Sequence, residues 1–206
     1  MRQLDHLVYV VPDLSTAVQG FAERSGITPV YGGKHRSRGT ENALVRIGRT
    51  VYLEILAPDP ESAVAPPRWM GVDFVARPTL TRWAFKSENL EKDADTLRRY
   101  APELASVTTG ERRTADDRTL RWQMTLPRAV PTVELLPFFC DWRASEIHPT
   151  AALPAQCRLA NVELRHPAPA ETSSTLRELG ITQSVMQGAN VAFKAELKTP
   201  RGTLIL

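Results

Sequence analysis

The chain opens on an almost unbroken apolar run, LDHLVYVV, that a Pro-Asp pair stops. In DLSTAVQGFAERSG the apolar positions change period: Leu14, Ala17, Val18 and Phe21 recur at helical spacing, with Gly26 as the stop signal. ITPVYGGKH, ENALVRIG and TVYLEILAP return to strand patterning, so the first elements read β-α-β-β-β. Residues 58–78 are proline-rich and have no period, which predicts a connection. The pattern then recurs. TRWAFKSEN reads as a strand, and LEKDADTLRRYA as a helix with Leu90, Ala94, Leu97 and Ala101 on one side. SVTTGERRT, TLRWQMTLP and TVELLPFF read as three further strands. Beyond a second proline-bearing link, HPTAALPAQ, the order appears once more: strand RLANVELRHP, helix AETSSTLRELG, then the short strands ITQSVMQG, NVAFKAELKTP and GTLIL.

Three copies of one unit follow, over 1–58, 79–142 and, shortened, 157–206, in a single body of 206 residues. With one gap, LDHLVYVVPDLSTAVQGFAERSGI aligns on LANVELRHPAPAETSSTLRELGI, so that Leu4 meets Leu159 and Gly26-Ile27 meets Gly180-Ile181. His6 falls on Asn161, and on Arg82 in the middle unit. The polar residue at that strand position is what changes between copies. The expected class is α+β, with repeated βαβββ units.

Composition narrows the function classes. The hydrophobic share of 42% and charged share of 24% are those of an ordinary globular chain. A net charge of +3, scattered along the chain, suits an anionic small molecule and argues against nucleic acid. No apolar stretch has the length of a membrane span, and MRQLDHLV lacks the core of an export signal. Cys140 and Cys157 have no metal-type spacing. Reduced thiols and a cytoplasmic location are the expectation.

The candidate chemistry lies on strands and in one loop. Strand alternation puts His6 on a face with Leu4, Val8 and Val10, and Glu54 on a face with Tyr52 and Leu56. A buried carboxylate is costly unless it is paired or metal-bound. His6 and Glu54 therefore read either as a metal or catalytic pair or as a hydrogen-bonded pair that fixes the sheet. In GGKHRSRGTEN, His35 is surrounded by Lys34, Arg36 and Arg38. Here His35 reads as acid, base or ligand, Arg38 as an anion clamp and Asn42 as a substrate contact; the alternative is a solvated hairpin loop. Arg82 and Glu134 read as a salt bridge or as a carboxylate-binding arginine held by its partner. In PFFCDWRASEIHP, Asp141 and His148 are near enough in sequence to form a general-base pair, and Phe138, Phe139 and Trp142 wall a cavity or a core. Trp69, Trp83 and Trp122 are further candidates for pocket lining. His166, before Pro167 at a strand end, reads as structural. No Ser elbow supports serine hydrolysis.

The paired βαβββ units, the opening LDHLVY and the later YLEIL resemble the vicinal oxygen chelate superfamily. GGKHRSRGTEN, PFFCDW and the following HP resemble its glyoxalase-like members. The resemblance implies a cupped mixed sheet built from half-cups that enclose a cavity, with metal ligands on first and last strands. Carried onto this chain it points to His6 and Glu54, brought together by the sheet. Glu134 matches Glu54 by register, and Arg82 stands where a further ligand belongs, although arginine is not one. The implied activity is that of a lyase, isomerase or dioxygenase acting on a small oxygen-rich, anionic molecule. Glu54, His35 and Asp141 would be its catalytic groups, and Arg38, Asn42, Arg82, Trp83, Trp142 and His148 its substrate contacts. One divalent ion (Zn, Mn, Fe, Ni or Mg) on His6, Glu54 and Glu134 would assist it. A homodimer is also implied. The competing reading is a cup that sequesters a small molecule, such as an antibiotic, without turnover.

Overall fold

The computed structural model describes residues 2–113 and 118–206. The last residue of the strand-like SVTTGERRT, Thr114, lies outside them. The first unit comprises β1 (Leu4–Val10), helix α1 (Leu14–Ser25), β2 (Val30–His35), β3 (Thr40–Arg46) and β4 (Tyr52–Pro58). The second comprises β5 (Thr79–Lys86), helix α2 (Leu90–Tyr100), β6 (Val107–Arg113), β7 (Thr119–Thr125) and β8 (Phe138–Asp141). Together they form one eight-stranded mixed sheet in the order β2-β3-β4-β1-β5-β8-β7-β6. Within each unit the first strand runs parallel to the last, and β1 and β5 join the units antiparallel, with His6 opposite Ala84 and Val8 opposite Arg82.

The helices begin and end where their side chains dictate. Asp13 accepts from the Thr16 amide to open α1, and Gly26, at φ 76°, closes it in the left-handed conformation. Asn89 caps α2 in the same manner through the Lys92 amide. The apolar stripes of both helices cover one face of the sheet, where Leu7, Leu53, Ile55, Trp83 and Phe139 are buried. Val8, Val10, Leu56, Ala84 and Phe138 point to the other, concave face. The sheet curls until its two edges approach: the Arg112 guanidinium on β6 donates to the Gly32 carbonyl on β2, and Arg38 donates to Thr108 Oγ1 at 2.8 Å.

Residues 59–78 cross the concave face. A 3-10 segment, Trp69–Phe74, seats Trp69, Met70 and Val72 in its core. Gly71, at φ 67°, packs directly on the Val130–Pro131 backbone, where no side chain would fit.

The C-terminal elements are β9 (Arg158–His166), α3 (Pro169–Glu178), β10 (Val185–Gln187), β11 (Ala192–Thr199) and β12 (Gly202–Ile205). Their sequence order repeats the unit, but their pairing does not. The strands run β10-β9-β11-β12, with β9 parallel to β10 and antiparallel to β11. In the two earlier units the first strand instead pairs parallel with the last. A third copy of the half-cup is therefore not formed. The small sheet packs on the helix-bearing face, with Phe193 against Trp83 at 5.5 Å.

Candidate active site

The concave face encloses a cavity of about 20 Å³ lined by residues of both units. That is room for about one water molecule. From the first unit come His6 on β1, His35 at the end of β2, Asn42 on β3, and Tyr52 and Glu54 on β4. Phe138 and Cys140 on β8, Trp122 and Met124 on β7, Arg112 on β6 and Trp142 close it from the second, and Trp69 comes from the crossing segment.

Glu54 is the polar centre. Its Oε1 accepts from Asn42 Nδ2 at 2.6 Å, and its Oε2 lies 3.7 Å from His6 Nε2. The His6 ring is stacked on Tyr52 (4.6 Å between centroids) and edge-on to Phe138. Three side-chain atoms of the cavity's lining residues are buried without a hydrogen-bond partner: His6 Nδ1, Asn42 Oδ1 and Trp69 Nε1. The Asn42 oxygen occupies the space where a side chain on Gly32 would begin. Each such atom costs about 1–3 kcal/mol.

Behind His6 stands Asp5, fully buried. It accepts from Trp142 Nε1 at 2.7 Å, lies 3.1 Å from His148 Nε2, and is 3.6 Å from His6 Nδ1. Burial alone would raise its carboxyl pKa. The hydrogen bond with His148, with the His6 imidazole close by, outweighs that and holds it far below the usual carboxylate range. Alternation places Asp5 away from His6, but a register shift between Leu4 and His6 lets it reach that side.

His35 is fully enclosed, with Nδ1 3.0 Å from Thr40 Oγ1 and its ring edge-on to Trp69 and Trp122. Burial pushes its pKa down to about 4; the Glu54 charge opposes the shift, while Arg112 and Arg38 add to it. The imidazole is neutral at pH 7. Because the unfolded histidine takes up a proton near pH 6.5 and the folded one only near 4, stability is lost as pH falls through that window. The expected loss from this group is about 3 kcal/mol between pH 7 and pH 4. Urea unfolding of His35→Gln beside the parent at both pH values would show it: the variant should lose that much less.

Several sequence expectations are corrected here. Arg82 does not face the cavity. Its Nε donates to Glu134 Oε2 at 2.8 Å, and its other nitrogens donate to the carbonyls of Met70, Arg128 and Val130. Glu134 also pairs with Arg128. Glu134 precedes β8 instead of lying on a strand, because pairing starts only after Pro137, at Phe138. It is no ligand to a site at Glu54. Asp141 is held by Arg143 through both carboxylate oxygens, so the carboxylate partner of His148 is Asp5. Trp83 turns to the opposite face, where its Nε1 donates to the Leu135 carbonyl. Arg38 lies over the Trp69 ring and ties the β2–β3 loop to β6 instead of lining the cavity. His166 stays at the end of β9, its Nδ1 accepting from the Ala168 amide. The sequence reading missed Arg112 and Asp5. The available signal for Arg112 was a basic residue at an inward position of β6, whose neighbours Glu111 and Arg113 are exposed.

The cavity depends on close backbone approach at Gly110. Trp122 is its cross-strand partner, and a methyl group at position 110 would fall inside the indole. The ring is backed by Trp142 at 5.4 Å and His35 at 5.8 Å, so it has little room to yield. Gly110→Ala should therefore cost about 1–3 kcal/mol and change the near-ultraviolet circular dichroism of the tryptophans.

With this geometry in place, comparison with known proteins settles the family. A model described as glyoxalase-like domain matches residues 4–180. The chain belongs to the glyoxalase-like domain family. No curated protein sequence matches it. Among solved structures, this glyoxalase-like protein is similar to a hypothetical protein from Staphylococcus aureus. The two share 16% identity over 93% of this chain and 88% of that one, with a TM-score of 0.65. Methylmalonyl-CoA epimerase from Mycobacterium tuberculosis aligns at 20% identity over 68% of this chain and 87% of its own, with a TM-score of 0.43. A hypothetical protein from Bacillus halodurans aligns at 17% over 68% and 94%, with a TM-score of 0.44. The first of these likenesses concerns the fold. No helix among the described residues is long and apolar enough to cross a membrane.

A divalent ion of the kind the superfamily commonly uses asks for at least three nitrogen, oxygen or sulfur donors around one point. His6 Nε2 and Glu54 Oε2 are two. The facing wall is Phe138, Trp122, Met124 and Cys140, and burial pushes the Cys140 thiol well above its ordinary pKa, away from thiolate. Among the described residues no group of three His, Cys, Asp or Glu could hold a metal ion. The donor set does not fit such a site.

Proposed function

We propose that this glyoxalase-like protein is an enzyme that moves a proton on a small oxygen-bearing molecule held in the cup, with Glu54 as the base. The observation that carries this is the buried Glu54 carboxylate on the wall of a cavity whose lining residues His6, Asn42 and Trp69 each bury an unpartnered polar atom. Buried polar groups are ordinarily paired, and an oxygen-rich guest would supply an acceptor for the Trp69 N–H and a donor for the Asn42 oxygen. Glu54 Oε1 is occupied by Asn42, which leaves Oε2 free to take a proton from a carbon beside a carbonyl. His6, 3.7 Å from that oxygen, is placed to orient the carboxylate and to share the proton. Returning the proton to the same or the neighbouring carbon would complete an isomerisation. Neutral His35 lines the wall and serves shape instead of charge.

The sequestering cup is the second reading. The three aromatic side chains on the second unit's wall, Phe138, Trp122 and Trp142, favour that one. Hydrogen exchange separates the two. Incubation in D₂O with α-hydroxy ketones and 2-hydroxy or 2-oxo carboxylates should put deuterium at the carbon beside the carbonyl, read by proton NMR. Binding with no exchange across that panel would sink the enzyme reading in favour of sequestration.

A further inference from the structure

The cup cavity has room for about one water molecule, whereas small-molecule sites usually span roughly 300–1,000 Å³. A cleft of about 740 Å³ lies immediately beside it. Trp142 and Cys140 line both, so they form a common wall, and His148, which pairs with Asp5, is also part of the cleft's lining.

The cleft's charges are unevenly used. Asp93 is taken by Arg2 and by Ser87 Oγ, the latter at 2.6 Å. Asp141 is taken by Arg143. Glu88 is exposed at the rim. Lys86, at the end of β5 where it pairs with Cys140, is half-buried, and its ammonium has no hydrogen-bond or ion-pair partner among the described residues. Burial lowers its pKa, the distant Asp5 charge opposes that, and Arg49 adds to it. A half-buried lysine whose ammonium has no protein acceptor is the kind of group an oxyanion pairs with. Lys92 stands on the same side and adds positive potential, while the first turn of α2 also carries Glu91 and Asp93, the latter already held by Arg2.

We infer that this cleft binds the oxyanion of an organic acid or phosphate ester at Lys86, with the ligand's body lying along Trp142. The inference rests on the proposed function only in taking the cup as the place where the ligand's other end reacts.

The test is a titration of protein with ¹⁵N-labelled tryptophan, following the Trp142 indole N–H, which donates to Asp5. Inorganic phosphate, phenyl phosphate and benzoate are the probes, so that carboxylate and phosphate sources are told apart. At least one should give a saturating shift. Lys86→Met should weaken it roughly tenfold or more, and Lys86→Arg should restore most of the affinity. Lys198→Met, in the small sheet, should leave it unchanged. No saturable shift with any probe, or equal affinity in Lys86→Met and the parent, overturns the inference. Glu54→Gln keeps the cleft intact. Anion binding retained there, in a protein whose parent shows no exchange, would uphold the cleft while removing the proposed chemistry. Exchange without anion binding would do the reverse.

Discussion

Arg82→Met is expected to cost about 3–5 kcal/mol of folding stability, measured by urea unfolding. The size follows from what the guanidinium does. It is 1% exposed, pairs with the buried carboxylate of Glu134, and donates to three backbone carbonyls from two separate segments. Methionine fills the volume and replaces none of those bonds. Glu134 keeps Arg128, whose side chain is far more exposed to water than that of Arg82 and so a weaker partner. Arg82→Lys should recover little, because one ammonium cannot reach partners arranged around a planar fork. A loss below about 1 kcal/mol for Arg82→Met would show that the buried pair costs as much to desolvate as it returns. Loosening this anchor should also free Met70 and with it Trp69, so the concave face would lose its cover in the folded variant.

Glu54→Gln is expected to lower the rate of carbon–hydrogen exchange by about 10²–10⁴-fold while leaving ligand affinity within a few-fold. The substitution is nearly isosteric, and a glutamine oxygen can still accept from Asn42 Nδ2. What is lost is the basic oxygen 3.7 Å from His6. An affinity that collapses together with the rate would point to a binding role for the carboxylate. An unchanged rate would remove Glu54 from the chemistry. Asn42→Ala is the companion: it touches Glu54 only through the hydrogen bond and should lower the rate less, by loosening the carboxylate's position.

Much of this arrangement is legible along the chain. α1 and α2 announce themselves through an apolar stripe, with Gly26 as a stop signal for the first, and both lie where their periodicity puts them. His6, Glu54, Asn42, His35 and Trp142 are read as site residues, and all five line one cavity. The failures are informative. Glu134 matches Glu54 by register along the sequence, yet Pro137 delays the strand and leaves Glu134 to Arg82. Strict alternation puts Asp5 on the face opposite His6, and one register shift defeats that rule. The C-terminal elements have the right order and a different pairing, since a succession of strands and helices does not by itself state which strands become neighbours.

One consequence of the strand order concerns mass action. Both walls of the cavity belong to one covalent chain, joined through the β1–β5 pairing and crossed by the 59–78 segment. The two half-cups therefore meet at an effective concentration fixed by their tether, not by the amount of protein in solution. Dilution leaves the pairing of His6 and Glu54 with the aromatic wall untouched. The two halves of the site are also free to differ: one carries the imidazoles and the carboxylate, the other rings, a thioether, a thiol and the Arg112 guanidinium.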